Sequence, residues 1–272
     1  MSLDLNQESM IVSNGARSTS GAKDMPQVSV VIPTFGRGSV LEKNVAHIRD
    51  VLMDDQEYGH SFELIIVDDN SPDDTAAVVR SICSRWADVH ALLLAANVGQ
   101  QNATLAGLRR AVGQAVITMD DDMKDDPKDI RLLLDQLKRG FDVVYGIPDC
   151  SPHTQWHRHL GTSFKEWIIA RACRKPKHVR LTGFRAMTRE TVNRITRETR
   201  RHVYISATIL QEPVRIGQVT VHAGSCGPAS SGYSMEKLAR LVLRLVVQYG
   251  KHPLFRYFRK PGRQYEILEE IS

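Results

Sequence analysis

The chain has 272 residues, of which 42% are hydrophobic and 25% are charged. This composition is typical of a soluble globular protein, and it excludes a collagen, a mucin and a largely disordered chain. The four cysteines are far apart and form no C-x-x-C pair, so a disulfide framework or a structural zinc site is not expected and a reducing, cytoplasmic setting is favoured. No apolar run approaches the roughly 18 residues of a membrane span, so the sequence predicts no transmembrane helix.

Charge is distributed unevenly along the chain. Residues 1–150 carry 14 Lys and Arg against 23 Asp and Glu, a balance of −9, whereas residues 151–202 carry 13 against 3, a balance of +10. Residues 203–272 are mildly basic, with 9 against 5. An acidic half followed by a basic half indicates carboxylates that hold a cation and a basic part that meets a polyanion, a phosphate or an anionic membrane.

Strand and helix patterns alternate over the first 150 residues. Short apolar runs predict strands at Val28–Ile32, Leu64–Val67, Ala91–Leu94, Ala115–Met119 and Phe141–Tyr145. Helical patterns fill the gaps at about residues 38–53, 73–87, 99–112 and 128–139. The runs are apolar on both faces, as in a parallel sheet, so the predicted fold class is α/β, with a mostly parallel, Rossmann-like sheet flanked by helices.

The remainder of the chain has a weaker pattern. Residues 151–202 are basic and mostly helical in pattern, and residues 203–221 indicate short strands or loops. The predicted organisation is a flexible leader at 1–26, a globular domain at 27–232 and a tail at 233–272. The domain divides into halves at 27–150 and 151–232, where the charge balance changes sign.

Polar residues follow three of the predicted strands directly. They are Pro33-Thr34, Asp68-Asp69 and Asp120–Asp122. Open α/β sheets bind ligands beyond the carboxyl ends of their strands, so we expect these three segments to converge in space.

Asp120, Asp121 and Asp122 carry the strongest chemical signal. Adjacent carboxylates repel one another and raise each other's pKa, and a hard divalent cation relieves that cost. Mg²⁺ and Mn²⁺ typically take one or two carboxylates together with phosphates of the substrate, so the pattern predicts a cation bridging to a diphosphate. The alternative is a solvated acidic turn that caps the next helix.

The other two segments suit recognition of a nucleotide. Asp68 or Asp69, at a strand end, can accept hydrogen bonds from a base or a ribose hydroxyl. The alternative for this segment is an N-terminal helix cap, and it applies best to Asn70, Ser71 and Asp73. Phe35 follows Pro33-Thr34 and can stack on a base, and its alternative is a place in the core.

These segments resemble the motifs of a known family. VSVVIPTF, LIIVDDNSPDDT, NVGQQNATLAGL and VITMDDDMKDDP are similar to those of family 2 glycosyltransferases with the GT-A fold. The most similar subgroup is the dolichol-phosphate-mannose synthase-like, polyprenyl-phosphate glycosyltransferases, and the resemblance runs over about residues 27–260. It implies an inverting enzyme of hexosyltransferase type that moves a sugar from a UDP- or GDP-sugar to a polyprenyl (dolichyl or undecaprenyl) phosphate.

The resemblance also implies roles for residues at the donor site. The positions it assigns to the nucleotide sugar are Pro33, Thr34, Phe35, Asp68, Asp69, Gly99, Asn102, Asp120 and Asp121. Asp122, together with Asp120, is the implied ligand of Mg²⁺ or Mn²⁺. Lys124 stands where the subgroup has a Gln that also ligates metal. An ammonium cannot ligate a cation, so we expect Lys124 to touch phosphate, and the metal requirement stays open. Gly36-Arg37 replaces the usual Asn-Glu.

Two later segments resemble the acceptor side of the subgroup. In Thr182–Met187, Arg185 is implied to face a phosphate and to act in catalysis with Asp122 and Lys124, and the alternative is a surface or salt-bridged arginine. Ser231-Gly232-Tyr233-Ser234 resembles the Gly-x-Ser-x-Tyr loop, which implies that Ser231 and Tyr233 contact the acceptor phosphate. The Arg that usually precedes this loop is absent, and Cys226 lies near its place.

The tail has the pattern of an amphipathic helix at about residues 235–251. One face is apolar and a narrow stripe is basic, which suits a helix in a membrane interface, and the alternative is a helix packed on the domain. We therefore expect peripheral attachment to an anionic membrane on its cytoplasmic face, directly or through a membrane-protein partner.

Two other functions stay open at this stage, and a third is not expected. A soluble transferase acting on a hydroxyl of a saccharide, a peptide or a metabolite needs a general base, for which Asp149, Glu212 and His222 are available. A phosphate acceptor needs none, because it is mostly a dianion at pH 7. A non-catalytic nucleotide-sugar binding protein is the second alternative. Nucleic-acid binding is not expected, since the basic segment has no recognisable motif and the acidic half repels a polyanion.

Overall fold

The computed structural model describes residues 26–59, 61–149, 179–222, 249 and 262–272. Its strands are β1 (Val28–Thr34), β2 (Phe62–Asp68), β3 (Val89–Leu94), β4 (Ala115–Thr118), β5 (Val143–Pro148), β6 (Arg185–Thr188), β7 (Ile216–Val221) and β8 (Ile267–Ile271). Its helices are α1 (Gly38–Met53), α2 (Thr75–Arg85), α3 (Gln100–Arg110), α4 (Ile130–Lys138), α5 (Arg189–Ile195) and α6 (Ile205–Ile209), with a 3₁₀ turn at Pro127–Asp129.

Several predicted features lie outside the described residues. They are the leader up to residue 25, the basic segment 151–178, the loop with Cys226, Ser231 and Tyr233, and the tail helix at 235–251 apart from Tyr249.

The strands of the described residues form one sheet in the order β7-β5-β6-β4-β1-β2-β3-β8. β1 pairs in parallel with β2 and β4, as do β2 with β3 and β5 with β7. β6 runs antiparallel to β4 and β5, and β8 runs antiparallel to β3. The predicted α/β class with a mostly parallel sheet is confirmed. The carboxyl ends of β1–β5 and β7 therefore share one edge of the sheet.

Both faces of the sheet are covered, which explains why the central strands are apolar throughout. Alternate residues of β1 and β2 pack into two separate cores. Val30 and Ile66 belong to the core that α1, α2 and α4 complete, whereas Val31 and Ile65 belong to the core under α3, α5 and α6. A strand between two helical layers has no solvent face, so no polar alternation survives in its sequence.

Pro33 does not end β1 as the sequence predicted, because β1 continues to Thr34. Pro33 lies opposite Val67 of β2. The last pairing on the other side joins Val31 to Thr118 of β4, and the carbonyl of Val31 accepts from the next N–H, that of Met119. Pro33 faces that same side, beyond the end of β4. Its missing N–H therefore costs the sheet no hydrogen bond.

Two antiparallel strands were not predicted. β6 lies within a stretch whose pattern is helical, yet its buried residues Arg185, Ala186 and Met187 fill the space between β4 and β5. β8 comes from the segment that the sequence analysis assigned to the tail, and it extends the sheet at β3. Arg80 and Arg110 pair with glutamates of β8, so charge contacts far apart in sequence hold this edge strand.

The second helix begins later than its pattern suggested. α2 starts at Thr75, with Asp74 at the N-cap position, and the Asp73 carboxylate accepts from the Thr75 N–H at 3.1 Å. Asn70 adopts a left-handed backbone conformation, with a φ of 57°. The polar stretch after β2 thus forms a turn before the helix.

None of the described helices is both long enough and apolar enough to cross a membrane.

α3 packs against the sheet through Gly107. A Cβ at this position would lie 2.3 Å from Cγ1 of Val31 and 3.0 Å from Cγ2 of Val67. Helix propensity alone favours Ala over Gly by about 1 kcal/mol, but overpacking a core costs about 1–3 kcal/mol. We expect Gly107→Ala to lower the free energy of unfolding by up to about 2 kcal/mol in urea titrations, the net of these two effects. The loss should shrink in a Val31→Ala background, and stabilisation by Gly107→Ala alone would contradict this packing.

Candidate active site

One pocket lies at the carboxyl ends of the parallel strands. Its lining residues are Pro33, Thr34, Phe35, Arg37, Asp69, Gln100, Asp120, Asp121, Asp122 and Lys124. The three segments that the sequence predicted to converge therefore do so. Phe35 is half exposed at the pocket rather than packed in the core, which leaves its ring available for stacking.

Asp121 is the most internal of the three consecutive carboxylates. Thr34 Oγ1 donates to its Oδ2 at 2.6 Å, and Arg37 Nε lies 3.7 Å from its Oδ1. Asn44 of α1 donates to its backbone carbonyl at 2.7 Å. Burial raises the pKa of the Asp121 carboxyl, and the Thr34 hydrogen bond opposes that rise. Asp121 thus ties β1 and α1 to the strand end.

Asp120 and Asp122 present carboxylates to the pocket with one polar partner each from nearby elements. Gln100, the first residue of α3, donates from Nε2 to Asp120 Oδ1 at 2.6 Å. Burial raises the pKa of Asp120, and repulsion from Asp122 and Asp121 raises it further. The ammonium of Lys124 contacts the Asp122 carboxylate, and the Lys124 N–H donates to Asp122 Oδ1 at 3.2 Å.

Asp69 and Asp68 both hold loops at the end of β2. Asp69, which lines the pocket, accepts from the N–H groups of Val98 and Gly99 at 2.7 and 2.8 Å. Asp68 accepts from both the N–H and the hydroxyl of Ser71. Burial raises the pKa of both carboxyls. Asp69 therefore fixes the start of α3, where Gly99 has a φ of 87° and Gln100 enters the pocket.

The segment that departs from the family pattern, Gly36-Arg37, is held in place through its backbone. The N–H of Gly36 donates to Ser71 Oγ at 2.9 Å, and that of Arg37 donates to Thr75 Oγ1 at 3.0 Å. The polar turn after β2 thus supports the loop after β1, and it directs the Arg37 guanidinium toward the pocket.

Asn102 lies inside the protein and does not line the pocket. It is buried, and its Nδ2 donates to the carbonyls of Arg201 and Gln264, both at 3.1 Å. Its Oδ1 accepts from the N–H of Val203 at 3.3 Å. The side chain therefore joins α3 to the 201–203 loop and to the C-terminal segment, and the pocket lining does not include it. Its contact with the nucleotide stays a prediction.

Arg185 lies beneath the pocket. It is only 3% exposed, so it is not the surface arginine that the sequence left as an alternative. Its Nε donates to Thr118 Oγ1 at 3.1 Å and its NH1 group to Ser206 Oγ at 2.9 Å. No carboxylate of the described residues forms an ion pair with it, yet its charge lowers the pKa of Asp120. Arg185 thus supports Asp120 electrostatically from below, and its direct contact with a phosphate stays a prediction.

Two of the three possible bases, His222 and Asp149, lie elsewhere along the same edge, whereas Glu212 precedes the amino end of β7 and is therefore not at this edge. At the end of β7, the N–H of His222 donates to Asp129 Oδ2 at 2.5 Å, and its Nδ1 lies 2.8 Å from Asp129 Oδ1. This hydrogen bond and the charge of Asp129 raise the pKa of His222, whose ring is largely exposed. Asp149 follows β5, and its N–H is bonded to the carbonyl of Val221.

The donor atoms of Asp120 and Asp122 fit a hard divalent cation in part. Asp121 is committed to Thr34 and Arg37, and the described residues contain no group of three or more His, Cys, Asp or Glu placed to hold a metal. Two carboxylates completed by ligand phosphates match the preference of Mg²⁺ for few protein ligands. The set therefore fits a cation that arrives with a diphosphate better than one bound by protein alone.

Four residues of this site were missed by the sequence prediction. Asn44, Arg37, Gln100 and Asp125 contact or act on the three carboxylates. Gln100 and Arg37 adjoin predicted site residues, so their positions in sequence were a usable signal. Asn44 lies one to two turns inside α1, and nothing in its sequence context distinguishes it.

Comparison with known families assigns the chain. The profile of glycosyl transferase family 2 matches residues 29–196, more than half of the sequence and all of the pocket lining. The chain belongs to glycosyl transferase family 2. This is the family that the resemblance implied, and the pocket of strand-end carboxylates lies within the matched residues.

Two curated relatives carry the same description, undecaprenyl-phosphate 4-deoxy-4-formamido-L-arabinose transferase. The protein from Pectobacterium atrosepticum is 28% identical over 236 residues, which are 85% of this chain and 70% of the relative. The protein from Pseudomonas paraeruginosa is 33% identical over 132 residues, 48% of this chain, and the match spans only 38% of that relative's length.

Solved structures share the fold at low sequence identity. A mannosyltransferase from Pyrobaculum calidifontis in complex with GDP-Man and Mn²⁺ has a TM-score of 0.54 and 18% identity, over 88% of this chain and 66% of that one. Glucosyl-3-phosphoglycerate synthase from Mycobacterium tuberculosis, with Mn²⁺, UDP-Glc and phosphoglyceric acid, has a TM-score of 0.57 and 17% identity, over 90% and 89%. These similarities confirm the GT-A fold.

Asp125 makes the stability of this family 2 enzyme depend on pH. Burial, followed by repulsion from Asp120 and Asp122, raises the pKa of Asp125 from 3.8 to about 6. Between about pH 4 and pH 6 the unfolded chain releases this proton while the folded chain keeps it, so stability falls as pH rises. We expect Asp125→Asn to raise the free energy of unfolding by about 1–2 kcal/mol at pH 7.5 in EDTA, and by almost nothing at pH 4.

Asp126→Asn is the matched control for this measurement. The Asp126 carboxylate caps the turn at Pro127–Asp129 by accepting from the Lys128 N–H at 3.0 Å, and Asn caps about as well as Asp. Its stability should change by less than about 0.5 kcal/mol at either pH. An equal gain for Asp125→Asn at both pH values would contradict the assignment to ionisation.

Proposed function

We propose that this glycosyltransferase transfers a glycosyl group from a nucleoside-diphosphate sugar to a polyprenyl phosphate. The observation that carries the proposal is the pocket in which strand-end carboxylates and two cationic side chains, Arg37 and Lys124, surround the space for a diphosphate. A relative that matches 85% of the chain is an undecaprenyl-phosphate 4-deoxy-4-formamido-L-arabinose transferase, which supports undecaprenyl phosphate as the acceptor.

The pocket suits each part of the donor. The half-exposed ring of Phe35 offers a stacking surface for a base, and Asp69 offers carboxylate oxygens to a base or ribose. Arg37 and Lys124 provide N–H donors for phosphate oxygens. The sequence predicts transfer of a hexosyl group. The relative from Pectobacterium atrosepticum transfers a modified arabinose, which favours a pentose derivative. The test therefore includes donors of both kinds.

Departure of the nucleoside diphosphate leaves negative charge on the β-phosphate. Asp120 and Asp122 would hold a divalent cation, which would supply Lewis-acid stabilisation of that charge when bound. Lys124 and Arg37 add positive charge at the pocket wall, and Gln100 keeps Asp120 oriented. The charge of the buried Arg185 opposes the rise in the pKa of Asp120 that burial and the neighbouring carboxylates cause. The protein residues thus bind and orient the leaving group before the bond to the sugar breaks.

The acceptor we propose supplies its own nucleophile. A phosphate monoester has a second pKa near 6, so at pH 7 it is mostly a dianion and requires no protein base. Its attack from the face opposite the leaving group inverts the anomeric centre. Because polyprenyl phosphates reside in membranes, the enzyme works at an anionic membrane surface, where the basic 151–202 segment is attracted.

One observation favours a second candidate, transfer to a hydroxyl acceptor. The His222 ring is oriented through Nδ1 by the buried Asp129, and its raised pKa is suited to a general base. When the acceptor is already a dianion, the reaction needs no general base, so His222 has no catalytic role to play. His222→Gln therefore separates the two candidates.

The acceptor test measures transfer to undecaprenyl phosphate, to undecaprenol and to soluble saccharides, each supplied in detergent or liposomes. The donors are UDP- and GDP-sugars, both of hexoses and of arabinose derivatives. We expect transfer to the phosphate alone, with a rate that rises through about pH 6 and is insensitive to His222→Gln. Transfer to an alcohol or saccharide, lost in His222→Gln, would establish the second candidate. Donor binding without transfer to any acceptor would favour a non-catalytic protein.

The donor test replaces the proposed cation ligand. We expect Asp122→Asn to reduce metal-dependent turnover at least about 100-fold, because charge on the departing diphosphate loses several kcal/mol of stabilisation. Asp126→Asn, outside the pocket lining, should leave turnover within about twofold of wild type. Turnover by Asp122→Asn that equals wild type and still needs Mg²⁺ or Mn²⁺ would refute the Asp122 site.

A further inference from the structure

The ammonium of Lys124 contacts the same carboxylate, that of Asp122, to which a metal cation is expected to bind. The ammonium contacts Asp122 Oδ2, and the Lys124 backbone N–H lies 3.2 Å from Oδ1, so one residue engages both oxygens of this carboxylate. The Asp122 side chain is only 14% exposed, whereas the Lys124 side chain is 57% exposed. The carboxylate is fixed in the wall of the pocket, and the ammonium lies on the solvent side of it.

The second cation of the pocket is placed differently. Arg37 Nε lies 3.7 Å from Asp121, whose other oxygen already accepts from Thr34. Arg37 therefore neutralises a carboxylate that is committed to the fold and takes nothing from the cation position. Of the two, only Lys124 competes with a metal for an oxygen.

The pocket lining has a net negative charge, which opposes the entry of another anion. The lining has four carboxylates, Asp69 and Asp120–Asp122, against the two cations, which leaves about two negative charges. A diphosphate adds more negative charge, so its entry needs a divalent cation or a cation released from an existing pair. The lysine side chain has a flexible four-carbon stem, and an exposed ion pair of this kind contributes only about 0–1 kcal/mol.

We propose that Lys124 exchanges partners during donor binding, an inference that rests on the proposed function. Without a donor, its ammonium neutralises Asp122 and competes with Mg²⁺ or Mn²⁺ for that carboxylate. When the cation enters with a nucleoside diphosphate, Asp122 binds the cation and Lys124 moves to the phosphate oxygens. The exchange lowers affinity for the free cation and raises affinity for the cation–diphosphate pair, so it couples the two binding events.

The experiment measures the two affinities separately in Lys124→Met, which removes the ammonium without supplying a ligand. Titration calorimetry with Mn²⁺ alone should give a Kd about two- to fivefold lower than wild type, because the competitor is gone. Titration with UDP or GDP at saturating Mn²⁺ should give a Kd at least about tenfold higher, because a charge-assisted contact to phosphate is lost. The two shifts have opposite signs, which general damage to the pocket does not produce.

Two further variants complete the comparison. Lys128→Met removes an exposed lysine from the adjacent turn, outside the pocket lining, and should leave both Kd values unchanged. Lys124→Gln should tighten Mn²⁺ binding at least as much as Lys124→Met, because an amide oxygen can join the cation's ligands. Thermal denaturation of each variant in EDTA checks that it is folded.

The outcomes distinguish failure of this inference from failure of the proposed function. If wild type binds none of UDP, GDP, CDP and dTDP with Mg²⁺ or Mn²⁺, the proposed function fails and the exchange fails with it. If wild type binds one of them but Lys124→Met leaves the Mn²⁺ Kd unchanged or higher, only the exchange is overturned. Equal binding of the diphosphate by wild type in Mn²⁺ and in EDTA would also overturn it, since Lys124 would then replace the cation.

Discussion

Four carboxylates crowded at the end of one buried strand are the constraint on which the site depends. Burial and mutual repulsion raise the pKa of Asp120, Asp121 and Asp125. Contacts from Thr34 and Arg37 to Asp121, from Gln100 to Asp120 and from Lys124 to Asp122 offset the charge of three of the four. The contacts to Asp121 and Asp120 also tie β1 and α3 to the end of β4, at the edge of the sheet where the pocket lies.

The sequence was a good guide wherever burial alone determines structure. Strands between two helical layers are recognisable as apolar runs, and the carboxylates that follow them converge because parallel strands end at one edge. It failed where a distant partner decides the outcome. β6 is a strand because β4 and β5 flank it, and β8 is one because β3 offers a free edge and Arg80 and Arg110 meet its glutamates. No local pattern encodes those neighbours.

In the candidate site, too, the sequence predicted some features and missed others. The sequence predicted which residues would line the pocket from their place after a strand, whereas the contacts that each side chain makes depend on packing. Asn102 was predicted to be a donor contact, and its amide is bonded to three backbone groups of two other segments. Arg185 was predicted to face a phosphate and lies buried under Asp120. A motif predicts the residue type and its approximate position, but hydrogen-bond partners 67 to 162 residues away determine which of its atoms remain free to contact a ligand.

Asp69 illustrates why structural and binding roles converge on the same atoms. Its carboxylate accepts two N–H groups at the start of α3, and this fixes the loop that carries Gln100 into the pocket. An anion that is already hydrogen-bonded is less able to repel an incoming diphosphate than a free one, because its charge is partly compensated. The pocket nevertheless keeps an excess of negative charge, because its lining has four carboxylates against two cationic side chains. This excess favours the entry of a diphosphate together with a cation, which is the order of events that the proposed function requires.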